Sequence, residues 1–298
     1  VATRPEQLRV AAPAKINLFL HVTRKRPDGY HDLQSLVAFA DVGDVLTLES
    51  GPELSLAIDG PFAQGLAAEA DNLVLRAARA LAERRPAIAG ASVLLTKNLP
   101  VASGIGGGSA DAAAALRGLQ ALYGEDLPED ELLAIAASLG SDIPVCVASR
   151  TAWMEGRGEI LTSLPPLPPV HIVLVNPGVS VATADVFRRL TIRAGEAELT
   201  PPAAFASVDA LVRYLKTTRN DLEAPALAVA PVIGAVLGAL ARQGAVFTRM
   251  SGSGATCFGF FETAEKANAA AVAIARAEPG WWARAGMLAG ADAARPRA

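Results

Sequence analysis

The chain has 298 residues, 51% of them hydrophobic and 19% charged, with a net charge of −3. That length fits one large domain or two of about 150 residues, and so low a charged fraction excludes a disordered polyelectrolyte. A near-neutral balance provides no basic field, which argues against nucleic acid as a partner, although a pocket for a phosphorylated small molecule needs only local positive groups.

Two cysteines, Cys146 and Cys257, stand far apart and fit neither a disulfide framework nor a zinc site. His21, His31 and His171 are too scattered for a metal cage. The opening residues VATRPEQLRV have no apolar stretch of a signal peptide. Residues 224–241 carry no charge but are rich in Ala and Gly and broken by Pro225 and Pro231. They read as a soluble helix begun at Pro231 and packed closely through Gly234 and Gly238, not as a membrane span. The abundance of Ala and the excess of Arg over Lys, 22 to five, read as genome composition, and they make each lysine stand out.

In chain order, residues 15–22 alternate as a strand, with Ile16, Leu18, Leu20 and Val22 on one face and Lys15, Asn17, Phe19 and His21 on the other. A turn follows at Pro27-Asp28-Gly29. Residues 33–39, 45–49 and 54–58 read as further strands, with Gly51-Pro52 as a hairpin turn. Asp71 is placed to cap a helix whose Val74, Ala77, Ala78 and Leu81 keep helical spacing. A strand over 92–97 leads into a Gly-rich loop and an Ala-rich helix ended by Gly124. Pro128 opens another helix, closed by Gly140, with an apolar strand after Asp142. The run Pro165-Pro166-Leu167-Pro168-Pro169 is a stiff connector and divides the chain into residues 1–164 and 170–298. The second part reads as a strand (171–175), a helix (183–190), a loop (191–202), two helices, strands at 246–251 and 256–261 around Gly252-Ser253-Gly254, a helix (263–277) and a last strand near Trp282. Both parts are α+β.

Four segments carry chemistry. Residues 99–111, LPVASGIGGGSAD, lie between a strand and a helix. Glycine lets backbone N–H groups approach a ligand, and the helix start adds unpaired N–H groups and the positive end of a dipole. This is the construction of a phosphate cradle, yet it is neither a Walker A loop nor a dinucleotide G-x-G-x-x-G. Lys15 and Asn17 share a strand face, Asp142 follows a helix end, and Met250–Thr256 form a small-residue turn. Taken singly, the last three read as a solvated lysine, a turn carboxylate and an ordinary hairpin.

In this order the four resemble the signatures of the GHMP kinases, the small-molecule kinases that include galactokinase, homoserine kinase and mevalonate kinase. The matching segments are APAKINLFLHV, RPDGYHDLQSL, DNLVLRAA, LPVASGIGGGSADAAA, GSDIPVC, NDLEAPA and MSGSGATCFG, spanning residues 11–261. The resemblance implies an N-terminal domain of the ribosomal-protein-S5 type and a ferredoxin-like C-terminal domain, with the site between. It implies ATP with Mg²⁺, the phosphates wrapped by Pro100, Val101, Ala102, Ser103, Gly104, Ile105, Gly106, Gly107, Gly108, Ser109 and Ala110, and Asn72 near the adenine. Ala110 replaces a serine frequent in the family, which leaves Ser109 as the hydroxyl for phosphate or metal and the metal ligands unassigned. Asp142 is the implied base and Lys15 its partner. The Asp28-Gly29-Tyr30-His31 segment matches the branch whose acceptor alcohol carries a cytidyl diphosphate. There Tyr30 stacks on the cytosine, His31 hydrogen-bonds it, Phe187 closes the other side with Thr183 nearby, and Asn17 orients the alcohol. Another kinase of the homoserine or mevalonate type, or a non-catalytic nucleotide-binding relative, are the alternatives. Tyr30 and His31 speak against the first, and Lys15 with Asp142 against the second.

Overall fold

The computed structural model describes residues 7–64, 66, 71–88, 90–191 and 198–289. Its spine is a pair of long antiparallel strands, β1 (Gln7–Lys25) and β2 (His31–Ser50), joined at the expected Pro27-Asp28-Gly29 turn. The break expected between residues 39 and 45 is absent, because register shifts between Pro13/Lys15, Asn17/Phe19 and Val22/Arg24 bend the ribbon without ending it. At the first shift the strands close up tightly: a Cβ on Gly43 would lie 2.4 Å from the Ala12 carbonyl oxygen. At the second, Leu18 is an extra residue, and the alternation expected from the sequence reverses there. Phe19 joins Ile16, Leu18 and Trp153 in the core, while Leu20 takes over the face that Lys15 and Asn17 share.

Strand β3 (Ser55–Asp59) does not fold back on β2 as Gly51-Pro52 suggested. It runs parallel to β4 (Ala91–Thr96), which inserts between β3 and β2. The crossover is α1 (Leu73–Arg84), with Val74, Ala77, Ala78 and Leu81 buried as their spacing requires. Asn72, not Asp71, is its cap: the Asn72 Oδ1 accepts from the Val74 N–H at 2.9 Å. Helix α2 (Gly107–Tyr123) stops at left-handed Gly124, and α3 (Glu129–Leu139) runs from Pro128 to Gly140. The residues after Asp142 form a short helix, α4 (Ile143–Ala148), where a strand was expected; Pro144 in its first turn forgoes no intrahelical bond. Strands β5 (Ala152–Gly156) and β6 (Ile160–Ser163) make a hairpin against β2 that the sequence pattern did not reveal.

Beyond the proline run come β7 (His171–Asn176), α5 (Thr183–Arg188), α6 (Val208–Lys216), α7 (Glu223–Val229) and α8 (Val232–Arg242). Two helices were expected where α6 to α8 stand. Residues 192–197 of the expected loop lie outside the described residues. The chain ends in β8 (Phe247–Met250), β9 (Cys257–Phe261), α9 (Ala264–Ala277) and β10 (Trp282–Ala289). The order β10-β7-β9-β8, antiparallel throughout, is a β-α-β-β-α-β ferredoxin-like layer. Strand β10 also meets β2 at Ala40 and Phe39, so both halves share one sheet. Helices α7 and α8 are bent by 118°, and among the described residues no single helix is long and apolar enough to cross a membrane.

Helix α2 lies so close to the β1–β2 ribbon that only small residues fit. Ala112, Ala113, Ala114 and Ala115 are fully buried, and a Cβ on Gly118 would come within 2.8 Å of Leu48. The alanine run here is therefore a packing requirement, not genome composition.

Beneath the start of α2 sits a buried charge cluster. The Lys97 Nζ donates to Asp44 Oδ2 at 2.5 Å and to Asp111 Oδ2 at 2.6 Å. The Asp44 Oδ1 also accepts from the N–H groups of Asn98 and Leu99. Burial favours the neutral lysine, but the Asp111 and Asp44 charges outweigh it and raise Lys97 above its ordinary range. Burial likewise pushes the Asp111 carboxyl up to about 8, against the pull of Lys97 and with the repulsion of Asp44. Asp44 has three donors, whereas the Asp111 Oδ1 has no partner, so little besides Lys97 opposes the burial that raises Asp111.

Breaking such a cluster leaves a buried charge uncompensated. Asp44→Ala is expected to cost about 3 to 5 kcal/mol, read as a lower urea midpoint. Folded Asp111 holds its proton to about pH 8, whereas its ordinary pKa is 3.8, so between those values the native state binds the extra proton. The stability of the wild type relative to Asp111→Asn should fall as pH rises through this window and level off above it. A pH-independent difference between the two would place the proton elsewhere.

Candidate active site

The β1–β2 ribbon, the Gly-rich loop, the 251–254 turn, α4 and α5 enclose a cleft of about 1090 Å³. A smaller pocket of about 220 Å³ adjoins it across Leu73, Ala102, Gly107 and Gly108.

At the centre, the Lys15 Nζ lies 2.7 Å from Asp142 Oδ2; the lysine is buried and the carboxylate part-exposed to the cleft. Asp142 occupies the N-cap position of α4 but makes no side-chain cap bond. Its carboxylate is turned instead to Lys15. Arg117 fixes both supports: its guanidinium donates to the Cys146 carbonyl at the end of α4 and to the Ala11 carbonyl of β1. Burial pulls the Arg117 guanidinium down to about 10, still charged at neutral pH. Burial pushes the neighbouring Cys146 thiol up to about 12, which removes it as a nucleophile.

The Gly-rich loop is held by backbone. The Lys15 N–H donates to the Ile105 carbonyl at 2.9 Å. Gly104 and Gly106 have φ of +77° and +64°, a region open to glycine at no steric cost. A Cβ at 104 would strike Gly254 O at 2.6 Å, and one at 106 would press on the Lys15 Cβ at 3.1 Å. The first intrahelical bond of α2 runs from the Ala110 N–H to the Gly106 carbonyl. Gly107, Gly108 and Ser109 precede it, their N–H groups outside the intrahelical ladder at the positive end of the helix dipole, and all three residues line the cleft. A side chain at Gly107 would meet the Lys97 Nζ at 3.1 Å, so Lys97 underlies the cradle. The 251–254 turn is braced in the same way: the Ser251 Oγ donates to the Gly104 carbonyl, the Asn17 N–H donates to Ser251 Oγ, and the Asn220 Nδ2 donates to the Met250 and Gly252 carbonyls.

The far wall is aromatic. His31 stacks on Phe187 with ring centroids 4.9 Å apart. Burial first, then the Lys25 charge, holds the His31 imidazole below its ordinary 6.5, so it is neutral at pH 7. Tyr30 is well exposed, and the Thr183 and Ser253 hydroxyls are 2.9 Å apart.

The cleft thus brings together Lys15, Asn17, Tyr30, His31, Ala102, Ser103, Gly104, Gly106, Gly107, Gly108, Ser109, Asp142, Thr183 and Phe187. Asn72, Pro100 and Val101 line the adjoining pocket. Ile105 and Ala110 turn into the core, and the Ala110 N–H is spent inside the helix, so neither side chain faces a ligand. Asn17 is buried, its amide donating to Ser35. Sequence reasoning assigned no role to the Lys97 cluster, although an isolated lysine just before a Gly-rich loop was a usable signal. It also passed over Lys25, Arg157 and Arg188 on the cleft wall, which carry no motif.

The arrangement suits transfer of a phosphoryl group. Helix-start N–H groups and Lys15 can hold anionic oxygens, and a carboxylate can take the proton of an attacking hydroxyl. Among the described residues no group of three or more His, Cys, Asp or Glu could cage a metal.

Residues 72–150 match the GHMP kinases N terminal domain, and residues 204–279 match the GHMP kinases C terminal domain. Over 285 residues the chain is 54% identical to the 4-diphosphocytidyl-2-C-methyl-D-erythritol kinase of Paracoccus denitrificans (strain Pd 1222), covering 96% of this chain and 98% of that relative. A crystal structure of 4-(cytidine 5′-diphospho)-2C-methyl-D-erythritol kinase is similar with a TM-score of 0.77 at 37% identity, over 95% of this chain and 99% of that one. The homoserine kinase from Cytophaga hutchinsonii gives 0.70 at 18% identity over 100% and 98% of the two chains, a likeness of fold alone. With both domain types in order along one α+β chain, and half its residues shared with such a kinase from end to end, this chain belongs to the GHMP kinases.

Proposed function

We propose that this chain transfers the γ-phosphoryl group of ATP to the 2-hydroxyl of 4-diphosphocytidyl-2-C-methyl-D-erythritol, in the non-mevalonate route to isoprenoid precursors. The observation that carries the reading is the Lys15–Asp142 pair at 2.7 Å. It lies in one cleft that joins a helix-start phosphate cradle to an aromatic wall. The names of the relatives support the substrate, and the aromatic wall favours a pyrimidine over the small acceptors of homoserine or mevalonate kinases.

The proposed roles follow from position. Asp142 takes the proton of the attacking hydroxyl, and Lys15 stabilises charge on the reacting oxygens. The N–H groups of Gly107, Gly108 and Ser109 hold the phosphates, and the pocket beside Asn72, Pro100 and Val101 takes the adenine. The Ser109 hydroxyl, on the cleft, would help hold Mg²⁺ together with the phosphates, and the ion's charge would offset theirs. Tyr30, His31, Phe187 and Thr183 receive the cytidyl group, and Asn17 steadies the erythritol. Phosphoryl transfer is often loose, so positioning carries much of the work. We read the chain as two domains, 1–164 and 170–298, and as a cytoplasmic protein.

Asp142→Asn keeps the size of the side chain but not its basicity. Its kcat should fall by roughly 10² to 10⁴ with both KM values little changed. Lys15→Ala should also lower kcat, and the double variant should lose less than the product of the two. Retention of more than about a tenth of wild-type kcat in Asp142→Asn, short of any general-base effect, would leave Asp142 an orienting role only.

Ser109→Ala removes a hydroxyl from the cradle without touching the aromatic wall. Loss of a hydrogen bond to a charged group is worth about 1.5 to 3 kcal/mol, so KM for ATP should rise about ten-fold or more. The Mg²⁺ requirement should rise with it, while KM for the cytidyl substrate stays put. An ATP titration that matches wild type would move the nucleotide away from this helix start.

A further inference from the structure

Tyr30 is an unusual recognition residue when considered alone. It is 59% exposed, at the tip of the β1–β2 turn beside Gly29 at φ +87°. A ring so exposed would sample several rotamers and lose that freedom on binding. The structure shows what restrains it. The Arg157 guanidinium lies over the Tyr30 ring, 4.9 Å from its centroid. Arg157 stands at the tip of the β5–β6 hairpin, between Gly156 and Gly158 at φ +68° and +118°, and faces the same cleft. A second set of contacts ties the two tips. Arg26 pairs with Asp28 at 3.4 Å and Asp32 at 3.1 Å in its own turn, and reaches across to Glu159 of the hairpin at 4.0 Å. Glu159 in turn accepts the Arg157 backbone N–H at 2.5 Å.

We infer that Arg157 is a positioning residue for pyrimidine recognition: its guanidinium covers one face of Tyr30 and holds the ring so that the opposite face receives the base. The inference rests on the reading of Tyr30 given above. An aromatic ring has two faces that can stack, and a planar cation suits one of them. Ordering the ring before the ligand arrives removes that cost from the binding step. The hairpin thereby gains a role that its sequence, without a motif, does not announce.

The test is the affinity for cytidine 5′-diphosphate without ATP, measured by calorimetry on the full chain. Tyr30→Ala should weaken it roughly ten-fold or more, the scale of a lost base stack. Arg157→Ala should weaken it roughly two- to five-fold, the scale of an exposed cation–π contact. The double variant should bind no worse than Tyr30→Ala alone, because Arg157 acts through the ring. Arg157→Lys, a cation without the planar face, should recover only part of the loss. Affinity for ATP should not change in any of the four, which separates positioning from general damage to the fold. Wild-type binding by Arg157→Ala would overturn the inference alone. So would additive losses in the double variant, since Arg157 would then touch the ligand directly. Wild-type binding by Tyr30→Ala would instead overturn the assignment of the pyrimidine to this end of the cleft, and the inference with it.

Discussion

The site depends on a contact between two backbones that no side chain could share. A Cβ on Gly104 would lie 2.6 Å from the Gly254 carbonyl oxygen and 2.7 Å from that of Ser251, and one on Gly252 would lie 2.9 Å from the Gly104 carbonyl. The two loops come from opposite halves of the chain, and their closeness lets the Thr256 N–H reach the Ser103 carbonyl and the Ser251 Oγ reach that of Gly104. The shape of the Gly-rich loop is therefore not a property of the first half alone. The loop is held in shape by a turn some 150 positions later, which Asn220 secures by two further carbonyl contacts. Glycine costs conformational entropy on folding, and here that cost falls where two backbones must meet with no side chain between them.

The same loop is sandwiched between two of the chain's five lysines. Lys15 packs where a side chain on Gly106 would be, and Lys97 where one on Gly107 would be. Each is matched by carboxylates, Asp142 for the first, Asp44 and Asp111 for the second. The two clusters differ in what they face. Asp142 is part-exposed to the cleft and available to a substrate, whereas Asp44 is fully buried and bound by three donors. Lys15 thus borders the cleft and Lys97 lies beneath the Gly-rich loop, a distinction that the net charge of −3 conceals.

Much of this was legible from residue type and spacing. The helical pattern of Val74, Ala77, Ala78 and Leu81, the left-handed stop at Gly124 and the helix between Pro128 and Gly140 stand as their local chemistry requires. What failed was non-local. Gly51-Pro52 bends the chain as such pairs do, yet nothing near it reveals that β4 will insert between β3 and β2. Residues 143–148 are apolar enough for a strand, and only packing under Arg117 and against α2 selects a helix. Asn72 is the cap because the helix begins at Leu73, one residue later than a cap at Asp71 would require. At the site, the Gly-rich loop and Lys15 announced themselves. Arg157 did not, since its use comes from the meeting of two turns, Tyr30 and its own, that are distant in sequence.

The bulge at Leu18 shows how such meetings are arranged. Without it, β1 would continue its alternation and present Phe19 and His21 to the cleft after Lys15 and Asn17. The extra residue reverses parity, sends Phe19 against Trp153 and brings Leu20 to the cleft. The strand then presents Lys15 and Asn17 to the cleft before the bulge and the apolar Leu20 beyond it. The His21 Nε2, displaced from the cleft, accepts the Arg219 N–H, and the Leu20 backbone pairs with Arg219 and Asp221 just before α7. A single inserted residue thus settles two matters: which side chains a ligand meets, and where the second half docks on the first. Because Asn220 lies in that docked segment and also secures the 251–254 turn, the register of β1 reaches the Gly-rich loop through the backbone of the opposite half.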